Sequence, residues 1–299
     1  MKSDHHSRLE RASASLTGLS VGDSFGDQFF VSDQIIELRL LHRSPPPPVW
    51  FVTDDTIMAQ SVVEVLSSSG TIDQDKLAQA FANRYTRDPG RGYGGTAHRI
   101  LRSIASGTSW QVAASEAFDG MGSMGNGGAM RAGPLGAWFA CDLVEVILEQ
   151  AQRSAAVTHS HPEGQAGAMA VALAAAYAVN HPGRETCPEL LAHVQGHLPD
   201  GETRSIIRRA MDIPFTRPPG VVAAMLGSGE RVLAQDTVPF ALWCAARHWS
   251  SYPAAIWSTV SGLGDRDTTC AIVGSIVALS AGLPSIPQEW LDSREPIPP

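Results

Sequence analysis

The chain has 299 residues, 43% hydrophobic and 17% charged, with a mean hydropathy of −0.04; this is a globular composition and excludes a disordered chain. At roughly 150 residues per domain, the length allows one or two domains. Lys and Arg number 22 against 30 Asp and Glu, a net charge of −8, which argues against general nucleic-acid coating or attachment to an anionic membrane. In chain order, residues 1–15 are a polar lead-in to a first helix and lack the apolar core of a signal peptide. Gly18, Gly22 and Gly26 then recur every fourth residue, with an isolated acid, Asp23, among them. Each glycine costs a helix about 1 kcal/mol, so close packing or a site is expected to compensate.

Ser44 to Pro48 is a rigid extended connector. Thr53-Asp54-Asp55-Thr56 precedes an apolar run and starts a helix that ends at Ser67–Gly70. Helical periodicity recurs over 73–85 and 96–106, with the turn-rich stretch Arg87 to Gly95 between them. Further helices are expected at 143–156, 163–179, 202–211, 236–249 and 268–281. The longest apolar run, Ala166 to Val179, falls short of the roughly 18 residues of a membrane span and reads as a buried helix. No alternating stretch is long enough to build a sheet. The expectation is an all-α, single-domain chain over 1–299, with a Pro-rich loop at 212–219 and a Pro-rich tail at 284–299. Cys141, Cys187, Cys244 and Cys270 form no CxxC pair, so reduced thiols and a cytoplasmic setting are expected, with no zinc site.

Three features carry chemistry. Two helix starts, Thr53-Asp54-Asp55-Thr56 and Asp265-Arg266-Asp267-Thr268-Thr269, hold more acid than capping needs. If they meet, four carboxylates and the threonine hydroxyls form an all-oxygen donor set that suits Mg²⁺, Mn²⁺ or Ca²⁺; if they do not, they are two well-capped helices. The run Gly120 to Arg131, with five glycines before Ala129, frees backbone amides to face an anion, and Arg131 stands ready to join them on a phosphate; a plain surface loop is the alternative. In Thr158-His159-Ser160-His161, His159 is a candidate hydrogen-bonding residue and His161 a surface one.

Taken in order, Gly22-Asp23, Thr53-Asp54-Asp55-Thr56, Gly125-Asn126-Gly127-Gly128-Ala129-Met130-Arg131, Thr158-His159 and Gly264-Asp265-Arg266-Asp267-Thr268 resemble the ADP-ribosylglycohydrolase family, over about residues 16–291. Asp88 to Gly94 and Gly122 to Asn126 look most like its serine- and poly-ADP-ribose-hydrolase branch. The resemblance implies a compact orthogonal helical bundle around a dinuclear magnesium site that cleaves the glycosidic bond at the distal ribose of ADP-ribose. By the same token Thr53, Asp54, Asp55, Asp265, Asp267 and Thr268 are implied metal ligands for two Mg²⁺, with Mn²⁺ as an alternative. Gly122, Ser123, Met124, Gly125, Asn126 and Gly127 are the implied cradle of the phosphates, with His159 and Gly94 touching the ligand. One position departs: the glutamate that the family often carries four residues beyond Gly26 is here Phe30. Asp27 and Asp55 are therefore the candidate catalytic carboxylates. The partner implied is ADP-ribose or an ADP-ribosylated acceptor. A non-catalytic ADP-ribose-binding protein and a metal-dependent phosphohydrolase of the diphosphate are the alternatives. The sequence assigns neither the acceptor nor an oligomeric state.

Overall fold

A computed structural model describes residues 2–297; Met1 of the lead-in and the last two prolines of the tail lie outside them. The described residues are helical, joined by loops, and their only β-type pairing is two isolated bridges, Trp50 with Arg294 and Gly125 with Leu233. The all-α expectation holds. Among the described residues, no helix is long and apolar enough to cross a membrane. The four cysteines are unpaired, and three of them are buried.

The lead-in is itself helical: one helix runs Lys2–Asp27, straight through the three glycines. They survive there because the last long helix, Arg266–Ser280, packs against them backbone to backbone. A Cβ on Gly18, Gly22 or Gly26 would overlap the carbonyl oxygen of Gly274, Cys270 or Arg266, respectively. As one number rises the other falls, so the two helices are antiparallel. Tyr252 Oη closes the seam by donating to the Gly18 carbonyl at 2.6 Å. The glycine spacing thus serves close approach, as expected, and it draws Asp23 and Asp267 to the same end of one seam.

The expected helices appear as Asp54–Ser69, Gln74–Arg87, Gly95–Ala105, Val144–Ala156, Pro162–Asn180, Glu202–Met211, Ala234–Arg247 and Arg266–Ser280. Their ends follow local chemistry. The Asp73 side chain caps Gln74–Arg87 by accepting from the Lys76 amide, and Gly70 closes Asp54–Ser69 in the left-handed conformation, φ 75°. His161, expected at the surface, caps Pro162–Asn180, its Nδ1 accepting from the Glu163 amide at 3.1 Å. Several helices had no sequence signal. Tyr252–Val260 is buried along most of its length and so has no polar face to set a period. Asp33–His42 has one buried residue, Ile36, and so has almost no apolar stripe facing inward.

The Pro-rich tail is not a loose end. It holds the Gln288–Ser293 helix, and its Trp290 is buried against Phe25, with ring centroids 4.5 Å apart. Beyond it the chain pairs with residues 50–52: the Trp50 amide donates to the Ser293 carbonyl at 2.7 Å and the Glu295 amide to the Trp50 carbonyl at 2.9 Å.

Candidate metal and ligand site

Thr53 is the N-cap of Asp54–Ser69, its hydroxyl accepting from the Asp55 amide. Asp265 is the N-cap of Arg266–Ser280. The fold brings these helix starts together: Thr268 Oγ1 lies 3.4 Å from Asp55 Oδ1, across 213 residues of sequence. Asp23 joins from the first helix. It is wholly buried, and its carboxylate accepts from the Thr53 amide at 3.0 Å and hydroxyl at 2.7 Å, and from the amide and hydroxyl of Thr56. Asp23 is not among the implied metal ligands; the signal for its place here was the glycine stripe around it, which had to face a close neighbour.

The electrostatics of this cluster are unfavourable on their own. Burial, then repulsion from Asp23 and Asp265, pushes Asp54 up to about 8. Burial and Asp267 raise Asp55 well above the usual carboxylate range, and burial and Asp265 do the same to Asp267. Burial raises Asp265 as well, against a hydrogen bond from Asn126. Asp23 is pushed up to about 6, chiefly by burial, with the Thr56 and Thr53 hydrogen bonds opposing. Asp55 Oδ2 and Asp267 Oδ1 are buried with no hydrogen-bond partner. Native proteins rarely leave such atoms orphaned. Among the described residues, no three Asp, Glu, His or Cys side chains form a ready metal-holding group.

Two cavities flank the cluster. The larger, about 760 Å³, lies beside Asp265 and is lined by Phe30, Arg231, Val232 and Leu263 among others. The smaller, about 450 Å³, lies beside Thr53 and is lined by Asp27, Phe51, Arg91 and Gly92. Both volumes fall in the range of small-molecule sites. The departure noted at position 30 is therefore at the site: Phe30 faces the larger cavity, its ring 4.9 Å from the Arg266 guanidinium. Asp27 faces the smaller one, half-buried, with its pKa raised by that burial.

The turn-rich stretch 87–95 roofs the smaller cavity. The Asp54 amide donates to the Arg91 carbonyl at 2.6 Å. A Cβ on Gly92 would lie 3.6 Å from Asp54 Oδ1, whereas Gly94 caps the Gly95–Ala105 helix with nothing within 4 Å of its own Cβ position. Gly92 is thus the glycine of this loop that approaches the acids, and Gly94 lies exposed beyond it. Glu295 of the tail fixes the roof from behind. Its carboxylate accepts from the Val52 amide at 2.9 Å and pairs with Arg91, which donates to the Val52 carbonyl at 3.1 Å.

The glycine loop reaches the acids through Asn126, which donates from Nδ2 to Asp265 Oδ2 at 2.6 Å and to Thr237 Oγ1 at 3.0 Å. Gly122, at φ 80°, passes so close to Ser160 that a Cβ would strike it. Ser123 Oγ accepts from the Gly125 amide at 3.1 Å, and Met124 and Asn126 pair with Ala234 and Val232. The loop is therefore an ordered wall rather than a free surface loop. His159 lies against it: a Cβ on Gly125 or Gly127 would sit 3.3 Å from His159 Nε2.

Arg131 requires a correction. Expected to meet a phosphate, it is fully buried. Its guanidinium stacks 4.5 Å over Phe81 and donates to the carbonyls of Gly127 and Ser154 and to Thr158 Oγ1. A buried cation with these donors committed to the protein supports the loop from below, and its Nε is buried with no hydrogen-bond partner.

A family model described as ADP-ribosylglycohydrolase matches residues 4–296. The chain is 27% identical to the human ADP-ribosylhydrolase ARH3, covering 96% of this chain and 90% of that one. It is 25% identical to the ADP-ribosyl-[dinitrogen reductase] glycohydrolase of Rhodospirillum rubrum, covering 96% and 90%. A solved ADP-ribosylglycohydrolase-related protein complex superposes with a TM-score of 0.69 at 27% identity, over 97% of this chain and 94% of that one. With the family model spanning nearly its whole length, the chain belongs to the ADP-ribosylglycohydrolase family.

Proposed function

We propose that the protein is a divalent-metal-dependent ADP-ribosyl hydrolase that frees ADP-ribose from a modified side chain or other acceptor by cleaving the glycosidic bond at the distal ribose. One observation carries the reading: two acid-rich helix starts meet with buried, orphaned carboxylate oxygens beside two cavities, in a chain of this family.

The donor set fits Mg²⁺ or Mn²⁺. Thr53, Asp54, Asp55, Asp265, Asp267 and Thr268 offer oxygen only, which hard divalent cations prefer, and bound cations relieve the repulsion that raises these pKa values. Held by these residues, the metals would supply an electrostatic anchor for the distal ribose hydroxyls and so hold the sugar for attack. The remaining steps belong to the chain. Asp23 holds the Thr53 and Thr56 hydroxyls and so aims the first helix start. In the Gly122–Gly127 loop the amides of Gly122, Gly125 and Asn126 already donate to Ala117, Ser123 and Val232, so those of Ser123, Met124 and Gly127 are the ones assigned to the diphosphate, and binding energy is gathered away from the bond that breaks. Asp27, which lines the smaller cavity beside Thr53, is the carboxylate this reading assigns to take a proton from the attacking water. The bond to the acceptor breaks along the oxocarbenium-like course of glycoside cleavage, and the departing acceptor takes up a proton in balance with the one Asp27 removes from the water.

The test is metal-dependent release of ADP-ribose from serine-, arginine- and nucleic-acid-end-linked substrates, with Mg²⁺ or EDTA. Intact ADP-ribose as product is expected; AMP plus ribose phosphate would identify a phosphohydrolase instead. Asp54→Ala with Asp265→Ala should abolish metal binding and turnover together, and activity retained in that double variant would remove the metal centre from the reading. One observation favours a second reading: Phe30 occupies the cavity beside Asp265 where the family often has a carboxylate. A non-catalytic ADP-ribose-binding protein predicts tight binding of ADP-ribose with no release from any of the three substrates.

A further inference from the structure

Beneath the glycine loop a chain of three side chains runs from Arg131 to His159. Arg131 Nη2 lies 2.9 Å from Thr158 Oγ1. Thr158 Oγ1 lies 2.7 Å from His159 Nδ1. Arg131 and Thr158 are both buried. Burial lowers the Arg131 pKa to about 9, which still leaves the guanidinium charged at neutral pH.

The directions of these hydrogen bonds follow from the donor inventory. A guanidinium can only donate. Thr158 Oγ1 therefore accepts from Arg131; were it also to accept from Nδ1, its own buried proton would have no acceptor, since Arg131 and His159 are its partners among the described residues, so the hydroxyl proton goes to His159 Nδ1. Nδ1 must then be the acceptor nitrogen, which places the ring proton on Nε2. Burial and the nearby Arg131 charge push the His159 pKa down to about 3, in keeping with a neutral ring. The Nε2 edge is the one that lies against Gly125 and Gly127. Glycine at both positions leaves that edge uncovered, since a side chain at either would crowd it.

We propose that Arg131 and Thr158 are positioning residues that lock His159 as its neutral Nε2–H tautomer, so that the glycine loop holds a fixed, uncharged N–H donor for a phosphate oxygen of the ligand. The identity of the ligand rests on the function proposed above; the tautomer lock does not. The arrangement also accounts for a buried arginine at the end of a loop expected to bind phosphate. Its charge acts through Thr158 on the direction of a hydrogen bond, and it touches no ligand itself.

The experiment reads the tautomer directly. Full-length protein labelled with ¹⁵N-histidine is examined at neutral pH by long-range ¹H–¹⁵N correlation, with the His159 signals assigned by their loss in His159→Gln. The wild type should show Nε2 protonated and Nδ1 bare. Thr158→Ser keeps the hydroxyl and should preserve that pattern. Thr158→Val, close to isosteric, should lose it. In calorimetry with ADP-ribose and Mg²⁺, Thr158→Val should weaken binding by about tenfold, the order of one hydrogen bond, with Thr158→Ser near wild type. An Nδ1–H ring in the wild type overturns the proposal whatever the variants do, so it stands or falls even if Thr158→Val fails to fold. So does a folded Thr158→Val with an unchanged tautomer and unchanged affinity. An Nε2–H ring in a protein that binds no ADP-ribose upholds the lock and removes the ligand assigned to it.

Discussion

Gly22 of the first helix and Cys270 of the last long helix touch backbone to backbone: a Cβ at position 22 would stand 2.8 Å from the Cys270 carbonyl carbon and nearer still to its oxygen. One residue on, Asp23 reaches Thr53 and Thr56. The same contact that packs the core therefore sets the height of the acid cluster. Gly22→Ala should destabilise the protein by about 2 kcal/mol or more, since neither backbone can yield without opening the seam. Gly94→Ala has nothing within 4 Å of its Cβ position and a φ of −65°, so its effect should stay within about 0.5 kcal/mol. Urea denaturation of the two variants checks the contrast.

The acid cluster predicts an unusual pH dependence. Asp23, Asp54, Asp55, Asp265 and Asp267 all have folded pKa values above the usual carboxylate value, Asp23 at about 6 and Asp54 at about 8. Between pH 4 and 8 the folded state holds protons that the unfolded state has released, so stability falls as pH rises through that window. In EDTA the protein should be less stable at pH 8 than at pH 5, by on the order of a few kcal/mol. Mg²⁺ should restore most of the difference at pH 8 and little at pH 5, where protons compete for the same oxygens. Thermal melts at both pH values with and without Mg²⁺ measure this, and a Mg²⁺ effect larger at pH 5 would contradict it.

Asp27 and Asp88 both line the smaller cavity outside the acid cluster, but Asp88 is paired with Arg91 at 2.7 Å, which leaves Asp27. Asp27→Asn keeps its shape and removes its basicity. The expected result is a kcat lower by about a hundredfold with KM little changed, the signature of a lost proton acceptor. Steady-state kinetics on an ADP-ribosylated peptide decides it; an unchanged kcat would show that the carboxylate is dispensable.

Glu295 holds both sides of the first helix start, through Val52 and Arg91. Its side chain is 15% exposed and that of Arg91 18%, so the pair is largely shielded from water. Glu295→Ala should cost about 2 kcal/mol of stability, as for a hydrogen-bonded charge that loses its partner. It should also raise the Mg²⁺ dissociation constant severalfold, because Thr53 and Asp54 follow directly on the segment it clamps. Calorimetric titration with Mg²⁺ provides the second measurement; a fall in stability with unchanged Mg²⁺ affinity would confine Glu295 to a packing role.

Sequence alone determined what local chemistry controls. Helix starts are written in capping residues, so Thr53 and the acid pairs could be placed without coordinates, and the glycines at 18, 22 and 26 announced a close neighbour because close approach justifies their cost to a helix. The all-α class followed from periodicity over the amphipathic helices; the signal was lost for segments such as Tyr252–Val260, where burial erases the polar face, and Asp33–His42, where too little is buried to make an apolar stripe. Tertiary structure decided which distant groups meet. That Asp23 joins the acids, that Arg131 turns inward under Phe81, and that Glu295 braces the first helix start all depend on contacts between segments far apart in the chain. An acid or a guanidinium carries the same letter whether it faces solvent, a metal or a buried hydroxyl. Its role is set by the partners and dielectric that packing brings to it, and neighbours in sequence do not specify these.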